Sequence, residues 1–470
     1  MDRYDLICLG CGPAGEKAAT QAAYFGRRVA VIERAHAPGG AMVNTGTIPS
    51  KALRETAVMC SAFRRRPIPG LRVEFGGHLS IAGFMAQRHL IQQEEHDRIE
   101  SSFDRHGITV VNGHGRIVDP HTIEVTRDDG PTARLSADFI LVATGSSPVR
   151  PEHIPFHLPG VVDADGILEL EHMPRSLAIV GGGVIGCEYA SIFAEIGVAV
   201  TLFEPRESIL PFIDGDCRDV LLRSMRGAEI DVRLNTAVQS VSESKVGGVL
   251  VTDSTRRAES FDVLLWAAGR SGNTRDIGLE NVGLIPDKRG LLAVDGTFRT
   301  SVPSIYAAGD VIGPPSLTSV SMEQGRVAAC HMFGLHFKRE VARTFPIGLY
   351  TIPPVAMVGL GEQEAAKQGH EVIVGKAPYR LNARGRMYRD NEGLLKLVFD
   401  RSSRRLLGAA MVGEQATELI HLAQSIIHAG EGIDYLINAC FNYPSISELY
   451  KYAAYAALQA IHVGEQRLAA

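Results

Sequence analysis

Two segments of this chain combine residue types and spacing that could do chemistry: Gly10-Cys11-Gly12-Pro13-Ala14-Gly15 and Gly181-Gly182-Gly183-Val184-Ile185-Gly186. Each follows a short apolar run that reads as a strand, Asp5–Leu9 in the first copy and Leu177–Val180 in the second. Each opens a helical stretch, to about Gly26 and to about Ile196, followed by a second strand, Arg28–Ile32 or Ala199–Phe203. An acid, Glu33 or Glu204, closes each unit. In such a unit the first glycine (Gly10, Gly181) allows a tight turn and the second (Gly12, Gly183) lets the backbone approach a pyrophosphate. The third (Gly15, Gly186) lets helix and strand pack closely, and the helix N-terminus faces the anion. The closing acid can accept hydrogen bonds from a ribose diol. One such turn is a weak signal, because glycine-rich turns are common. Two copies in the same strand–turn–helix–strand setting imply two dinucleotides; in a flavoenzyme with two such sites, FAD takes the first and NAD(P) the second.

The elements that must position these turns follow from the rest of the chain. Phe139–Ala143 reads as a buried strand running into Ala143-Thr144-Gly145, Val263–Ala268 as another ending at Gly269-Arg270, and Ser304–Ala308 as a third ending at Gly309-Asp310. Apolar strands with glycine at their carboxyl ends suit a parallel sheet, whose ligands bind at those ends. The expected fold is α/β, with two Rossmann-like dinucleotide-binding domains. An FAD domain is placed at about 1–150, resuming at about 272–345, and an NAD(P) domain at about 151–271. Residues 346–470 contain strand-like runs (Leu395–Phe399, Leu406–Val412) and helical stretches (Ala416–His428, Ser447–Ile461) but no nucleotide turn, which suits an interface role.

Bulk properties exclude several classes. The net charge of −5 and pI of about 6.4 suggest no polyanion partner, so no nucleic acid is expected. Arg64-Arg65-Arg66 reads as a solvated loop rather than a basic patch. No apolar run reaches the roughly 18–20 residues a membrane span needs. The chain enters a strand-like run at Tyr4–Leu9 without a signal-peptide layout, so a cytoplasmic location is expected. Seven scattered cysteines do not read as a secreted disulfide framework. Cys8 and Cys11 form a C-x-x-C, but one falls in a buried strand and the other in a phosphate turn, whereas a redox pair needs an exposed thiolate at a helix start. No histidine, cysteine and carboxylate cluster has metal spacing, and the lone helical His421 reads as a packed residue.

Residues Gly39 to Lys51 read Gly-Gly-Ala-Met-Val-Asn-Thr-Gly-Thr-Ile-Pro-Ser-Lys. With the glycine turns, Ala143-Thr144-Gly145, Tyr306-Ala307-Ala308-Gly309-Asp310 and Tyr350-Thr351-Ile352-Pro353, this segment resembles the flavoprotein disulfide reductases, the family of lipoamide dehydrogenase and glutathione reductase. The resemblance covers essentially the whole chain. It implies FAD contacts at Gly10, Gly12, Gly15, Glu33, Gly40, Thr47, Lys51, Ala143, Thr144, Gly145, Gly309 and Asp310. For the nicotinamide nucleotide it implies Gly181, Gly183, Gly186, Glu204, Arg206, Gly269 and Arg270. It further implies an α+β dimerisation domain at the C-terminus, and hence a homodimer or higher homo-oligomer.

The departures from the family pattern bear on the chemistry. Family members carry C-x-x-x-x-C where this chain has Met42 and Thr47, neither of which can form or attack a disulfide. The family's acid/base histidine before proline is here Tyr443, with Glu448 at the place of its orienting glutamate. Tyrosine, with a reference pKa of about 10, is a poor base near neutrality. Asn44 to Arg54 and Phe441-Asn442-Tyr443-Pro444 are similar to the transhydrogenase branch of the family. The resemblance puts Lys51 beside the flavin, paired with Glu188, and puts Tyr443 and Glu448 at the partner's flavin. Val184 replaces a tyrosine that gates the nicotinamide pocket in several relatives; it either leaves the flavin face open or simply fills the helix.

The expected activity is FAD-dependent hydride transfer between NADPH and NAD+, with NAD(H) and NADP(H) as substrates. Glu204 favours NAD, since it would repel a 2′-phosphate. Arg206, two residues on, either receives that phosphate or is a solvated arginine. The alternatives are an NAD(P)H:quinone or dye reductase of the same fold and a non-catalytic FAD/NAD(P)H-binding sensor. Tyr450, Tyr452, Tyr455 and Leu458 read as packing or dimer contacts on one helix.

Overall fold

The computed structural model describes residues 2–71, 79–127, 130–245 and 247–469. The first part of the chain runs β1 (Asp2–Leu9), α1 (Pro13–Tyr24), β2 (Val29–Glu33), α2 (Gly40–Asn44), α3 (Thr47–Arg65), α4 (Ile81–His106), β3 (Thr109–Asn112), β4 (His114–Asp119), β5 (Thr122–Thr126) and β6 (Ala133–Val142). β1 is buried almost throughout from Leu6 to Leu9, as a strand covered on both faces must be. It lies parallel between β2 and β6, and β3 extends the sheet beyond β2. β4 and β5 form an antiparallel hairpin on β6, which is why β6 starts at Ala133, well before the expected Phe139. α1 begins with Pro13 at its first turn and stops at Tyr24 rather than Gly26; Gly26 turns the chain with φ +76°.

The middle part runs β7 (Ser146–Pro148), β8 (Val161–Asp163), β9 (Ser176–Val180), α5 (Val184–Glu195), β10 (Ala199–Phe203), α6 (Gly215–Gly227), β11 (Asp231–Arg233), β12 (Val238–Glu243), β13 (Val249–Asp253), β14 (Ala258–Phe261), β15 (Val263–Trp266) and β16 (Arg270–Gly272). β11-β10-β9-β15-β8 is a second parallel sheet, and β12-β13-β14 is an antiparallel meander. β7 and β16, where the chain enters and leaves this layer, pair antiparallel. β17 (Ile305–Ala307) then returns to pair β6 in parallel, and α7 (Thr318–Met332) crosses α1. The crossing is close because Gly325 has no side chain: a Cβ there would sit 2.2 Å from the Ala14 carbonyl oxygen.

The last part runs β18 (Ile347–Leu349), β19 (Val355–Gly359), α8 (Glu362–Lys367), β20 (Val372–Pro378), α9 (Ala383–Tyr388), β21 (Leu394–Asp400), β22 (Leu406–Val412), α10 (Ala416–Ala429), α11 (Ile433–Asn438) and α12 (Leu449–Ala469). Its antiparallel sheet, β18-β19-β22-β21-β20, is covered by α10 and α12 around a core that includes Tyr379, Phe399 and Tyr450. Tyr450 donates its hydroxyl to the Leu419 carbonyl at 2.8 Å, whereas Tyr455 is exposed.

The arginine run does not form the expected solvated loop. Arg64 and Arg65 close α3, where cations suit the helix dipole, and they reach Glu195. Arg65 and Arg66 also approach Glu414 at 3.6 and 3.2 Å, tying the helix to the C-terminal layer. No helix among the described residues is long and apolar enough to cross a membrane.

Candidate functional site

A cavity of about 1800 Å³ runs from the first glycine turn, past α2 and α3, to the start of α5 and the faces of α7 and α10. At the first turn, Gly10 has φ +106°, and a Cβ there would lie 2.4 Å from the Ala143 carbonyl oxygen. A Cβ on Gly15 would lie 2.0 Å from the Gly10 oxygen, so only glycine permits this contact between strand and helix. Gly12 faces the cavity, and α1 has no side-chain cap, leaving its first N–H groups for a ligand. Gly40 crosses the turn closely: with φ +53°, its Cβ would lie 2.7 Å from the Gly12 Cα. Glu33 accepts from Cys11 N at 2.8 Å and from Ala35 N at 2.9 Å, bracing the turn while lining the cavity.

Further along, Ala143, Thr144 and Gly145 line the wall, and the Thr144 hydroxyl is buried with no partner among the described residues. Asp310 accepts from the Ser146 hydroxyl at 2.7 Å, and Gly309 N donates to Gln324 at 2.8 Å. α7 also lacks a side-chain cap, and Thr318, Ser319 and Val320 line the cavity. Two uncapped helix starts, an orphaned hydroxyl and a cradle that a Cβ would fill are what an elongated, anionic dinucleotide such as FAD requires.

The positions of the absent thiols lie in this wall. Met42 is buried there, and the Thr47 hydroxyl shares a 2.8 Å hydrogen bond with the Thr318 hydroxyl. Thr318 carries no sequence signal, because its partner lies 271 residues away.

Lys51 projects from the first turns of α3 toward α5. Its Nζ lies 2.8 Å from Glu188 Oε2 and 5.0 Å from the Tyr350 ring centroid. Glu188 Oε1 accepts from Tyr350 N at 2.8 Å. In the sequence Tyr350 stands only at the opening of the C-terminal layer; in the fold it is the third member of this cluster. Burial, then the nearby Glu418, raise its phenol pKa. Val184, Ile185 and Tyr189 of α5 line the same end. Arg270 donates to the Ser146 hydroxyl at 2.9 Å and the Ser146 carbonyl at 2.7 Å, and reaches Asp165 at 3.5 Å. Asp165, which no sequence motif singles out, has a pKa raised by burial, against the pull of Arg270.

The second glycine turn repeats the first. Gly181 has φ +110°, with a Cβ position 2.8 Å from the Ala267 oxygen, and a Cβ on Gly186 would lie 1.9 Å from the Gly181 oxygen. Gly183 stands at the uncapped start of α5 with open space beside it. Gly269, with φ +114°, sits between β15 and Arg270. Glu204 is 1% exposed; Arg206 wraps onto it, with Nε 2.8 Å from Oε1 and a terminal nitrogen 2.9 Å from Oε2. Gly181, Gly183, Gly186, Glu204, Arg206 and Gly269 flank the cavity rather than lining it.

Two expected residues stand apart. Tyr443 is 67% exposed, and Glu448 accepts from Asn382 Nδ2 at 3.3 Å; neither lines the cavity of its own chain. His421 is exposed on the cavity wall instead of packed, because α10 turns Ile420 and Ala423 inward and leaves 421 outside. Its Nδ1 lies 3.0 Å from Gln424 Oε1. Cys8 and Cys11 are buried, and burial pushes the Cys11 thiol up to about 12, so neither offers a thiolate. Among the described residues, no three His, Cys, Asp or Glu side chains converge as metal ligands.

Residues 4–325 match the family described as pyridine nucleotide-disulphide oxidoreductase, and residues 345–454 match its dimerisation domain. The chain is 39% identical to the soluble pyridine nucleotide transhydrogenase of Mycobacterium tuberculosis (strain ATCC 25177 / H37Ra) over 97% of both chains. It is 40% identical to the protein of that name from Marinomonas sp. (strain MWYL1), over 96% of this chain and 97% of that one. Among solved structures, LpdA from Mycobacterium tuberculosis superposes with a TM-score of 0.88 at 30% identity, covering 97% of this chain and 99% of that one. The HOCl-induced flavoprotein disulfide reductase RclA from Escherichia coli, as its Cu(II) complex, superposes with a TM-score of 0.87 at 29% identity and the same coverage.

Proposed function

Since the chain belongs to the pyridine nucleotide-disulphide oxidoreductase family, we propose that it is a flavoenzyme moving hydride between NADPH and NAD+, a soluble pyridine nucleotide transhydrogenase. The observation that carries this reading is the contrast within one cavity. The Lys51–Glu188–Tyr350 cluster is assembled, while the thiol positions hold Met42 and a Thr47–Thr318 hydroxyl pair. A site without a thiol has no disulfide to reduce.

FAD, when held here, would supply the hydride-transfer chemistry between nicotinamides. The chain's residues bind, orient and polarise. Gly10, Gly12, Gly15, Glu33, Gly40, Thr47, Ala143, Thr144, Gly145, Gly309 and Asp310 would hold FAD. Gly181, Gly183, Gly186, Glu204, Arg206, Gly269 and Arg270 would hold NAD(H) and NADP(H) in turn. Lys51 sets a positive charge at the cavity wall, and Glu188 fixes its position. No proton shuttle is required when hydride enters and hydride leaves, which accords with a tyrosine at 443. Tyr443 and Glu448 would act across a homodimer, from the partner's side of the flavin. In this assignment residues of about 1–150 and 272–345 serve FAD, about 151–271 serve the nicotinamide nucleotide, and 346–470 form the interface. The location is cytoplasmic, where both nucleotides turn over.

The test is anaerobic hydride transfer from NADPH to thio-NAD+ by the purified yellow protein, beside a matched quinone assay. Fast transfer to thio-NAD+ with a slow quinone rate supports the reading. A quinone rate orders of magnitude higher would make the protein a quinone reductase. Bound flavin with no turnover would make it a sensor.

A further inference from the structure

The chain contains its own control for reading the second nucleotide site. Glu33 ends β2 and Glu204 follows directly on the equivalent strand β10, and each accepts the N–H of the second residue of its glycine turn, Cys11 at 2.8 Å and Gly182 at 2.6 Å. Each also accepts the N–H two residues on, Ala35 at 2.9 Å and Arg206 at 2.8 Å. The two sites then diverge. Glu33 has no ion-pair partner among the described residues, whereas Glu204 is gripped by the Arg206 guanidinium through both oxygens. The grip is local: Arg233, the cation of the neighbouring strand, is engaged by Asp231 and Glu259. Gly182 admits this arrangement, since a Cβ there would lie 2.8 Å from Glu204 Oε2.

Four donors reach the Glu204 carboxylate, which has about four acceptor positions, so it is saturated as it stands. A ribose diol can bond to it only where the guanidinium lets go. Two of the four donors are backbone N–H groups, so the carboxylate keeps its place when Arg206 leaves. Arg206, half exposed at 52%, has somewhere to go; Glu204 does not.

We infer that Glu204 and Arg206 form one exchangeable reader of the adenosine ribose, specific for neither nucleotide. With an unsubstituted ribose, the 2′- and 3′-hydroxyls replace the guanidinium as donors to Glu204. With a 2′-phosphate, the guanidinium transfers from the carboxylate to the phosphate and cancels the repulsion Glu204 would otherwise exert. Each nucleotide breaks the same ion pair, so the cost is common to both and does not discriminate between them. At the first site the acid has no such partner, and a single fixed dinucleotide suffices. The inference rests on the transhydrogenase reading for its purpose, but not for its test.

The test is calorimetric titration of the FAD-loaded protein with 5′-AMP and with 2′,5′-ADP, which differ only in the 2′-phosphate and need no hydride acceptor. The wild type should bind both within about tenfold of each other. Arg206→Gln should weaken 2′,5′-ADP by roughly ten- to hundredfold, the loss of a charged hydrogen-bond pair, and leave 5′-AMP unchanged or tighter. Glu204→Gln should weaken 5′-AMP and spare 2′,5′-ADP. Arg206→Lys, which keeps the charge but loses the planar fork, should fall between for 2′,5′-ADP. An equal loss of both ligands in Arg206→Gln would overturn the inference, because the pair would then only brace the turn. Failure of thio-NAD+ reduction alongside the expected titrations would remove the transhydrogenase reading and leave the reader in place.

Discussion

Lys51 and Glu188 do not contribute equally to their own ion pair, and the asymmetry gives a sharp prediction. They meet at 2.8 Å, where an effective dielectric of about 20 corresponds to roughly 6 kcal/mol of gross attraction, most of it offset by desolvation. The Glu188 side chain is 5% exposed and that of Lys51 is 25% exposed. Lys51→Met therefore strands a buried carboxylate whose remaining donor is Tyr350 N, and should cost about 3 kcal/mol, the lower end for breaking a buried pair. Glu188→Gln strands a lysine that water can reach and keeps an acceptor for Tyr350 N, so about 1 kcal/mol is expected. The double variant should recover part of the Lys51→Met loss, because no buried charge remains. Urea unfolding followed through the single tryptophan, Trp266, measures all three. Flavin reduction by NADPH in a stopped-flow instrument should slow at least tenfold in Lys51→Met. A larger stability loss in Glu188→Gln than in Lys51→Met would refute the burial reasoning. Wild-type flavin reduction in Lys51→Met would refute the role given to the cation.

Two further predictions rest on groups away from the cavity. Lys396, with a 4% exposed side chain, meets Asp214, Asp216 and Glu362 at 2.9, 2.7 and 2.8 Å, joining the start of α6 to β21. Burial works against the Asp216 carboxylate, yet hydrogen bonds from Lys376 and Lys396 hold its pKa below the usual value. The stability it contributes is present above the unfolded carboxylate pKa of about 4 and is lost as pH falls through the lower folded value. Wild-type urea midpoints should drop between about pH 4 and pH 2, whereas Lys396→Met, which leaves only Asp214 as a buried carboxylate, should lose at most about 3 kcal/mol at pH 7 and show a smaller deficit in acid, where the stranded carboxylates protonate. An undiminished deficit at pH 3 would count against the cluster. Cys8, Cys11, Cys187, Cys217 and Cys330 are buried, with burial raising every one of these thiols. Native protein at pH 8 should form a mixed disulfide with a disulfide reagent first at exposed Cys440, releasing the reagent's thiol, and Cys440→Ser should abolish that phase; rapid reaction of Cys8 or Cys11 would revive the C-x-x-C reading.

What could be read from the sequence, and what could not, follows the range of the forces involved. The glycine turns were readable because their constraints are local: φ at Gly10 and Gly181, and contacts of Gly15 and Gly186 within five residues, are written in the motif itself. The Lys51–Glu188 contact spans 137 residues, so periodicity and spacing could not join the two, and only family resemblance did. The roles of Thr318, Tyr350 and Asp165 at the site were invisible, since what makes each matter is the packing of one layer on another. The arginine run was misjudged for the same reason: its partners, Glu195 and Glu414, lie far along the chain. Glu204 and Arg206 failed differently. They are two residues apart, and their closeness was plain, but local reading set them against each other, the acid excluding a phosphate and the base inviting it. In the fold they bind each other first. Both residues therefore report on the ribose through the pair they form, and substituting either must change the response of the other. Double-variant titrations of 2′,5′-ADP should consequently be non-additive, with the Arg206→Gln loss shrinking once Glu204 is already glutamine.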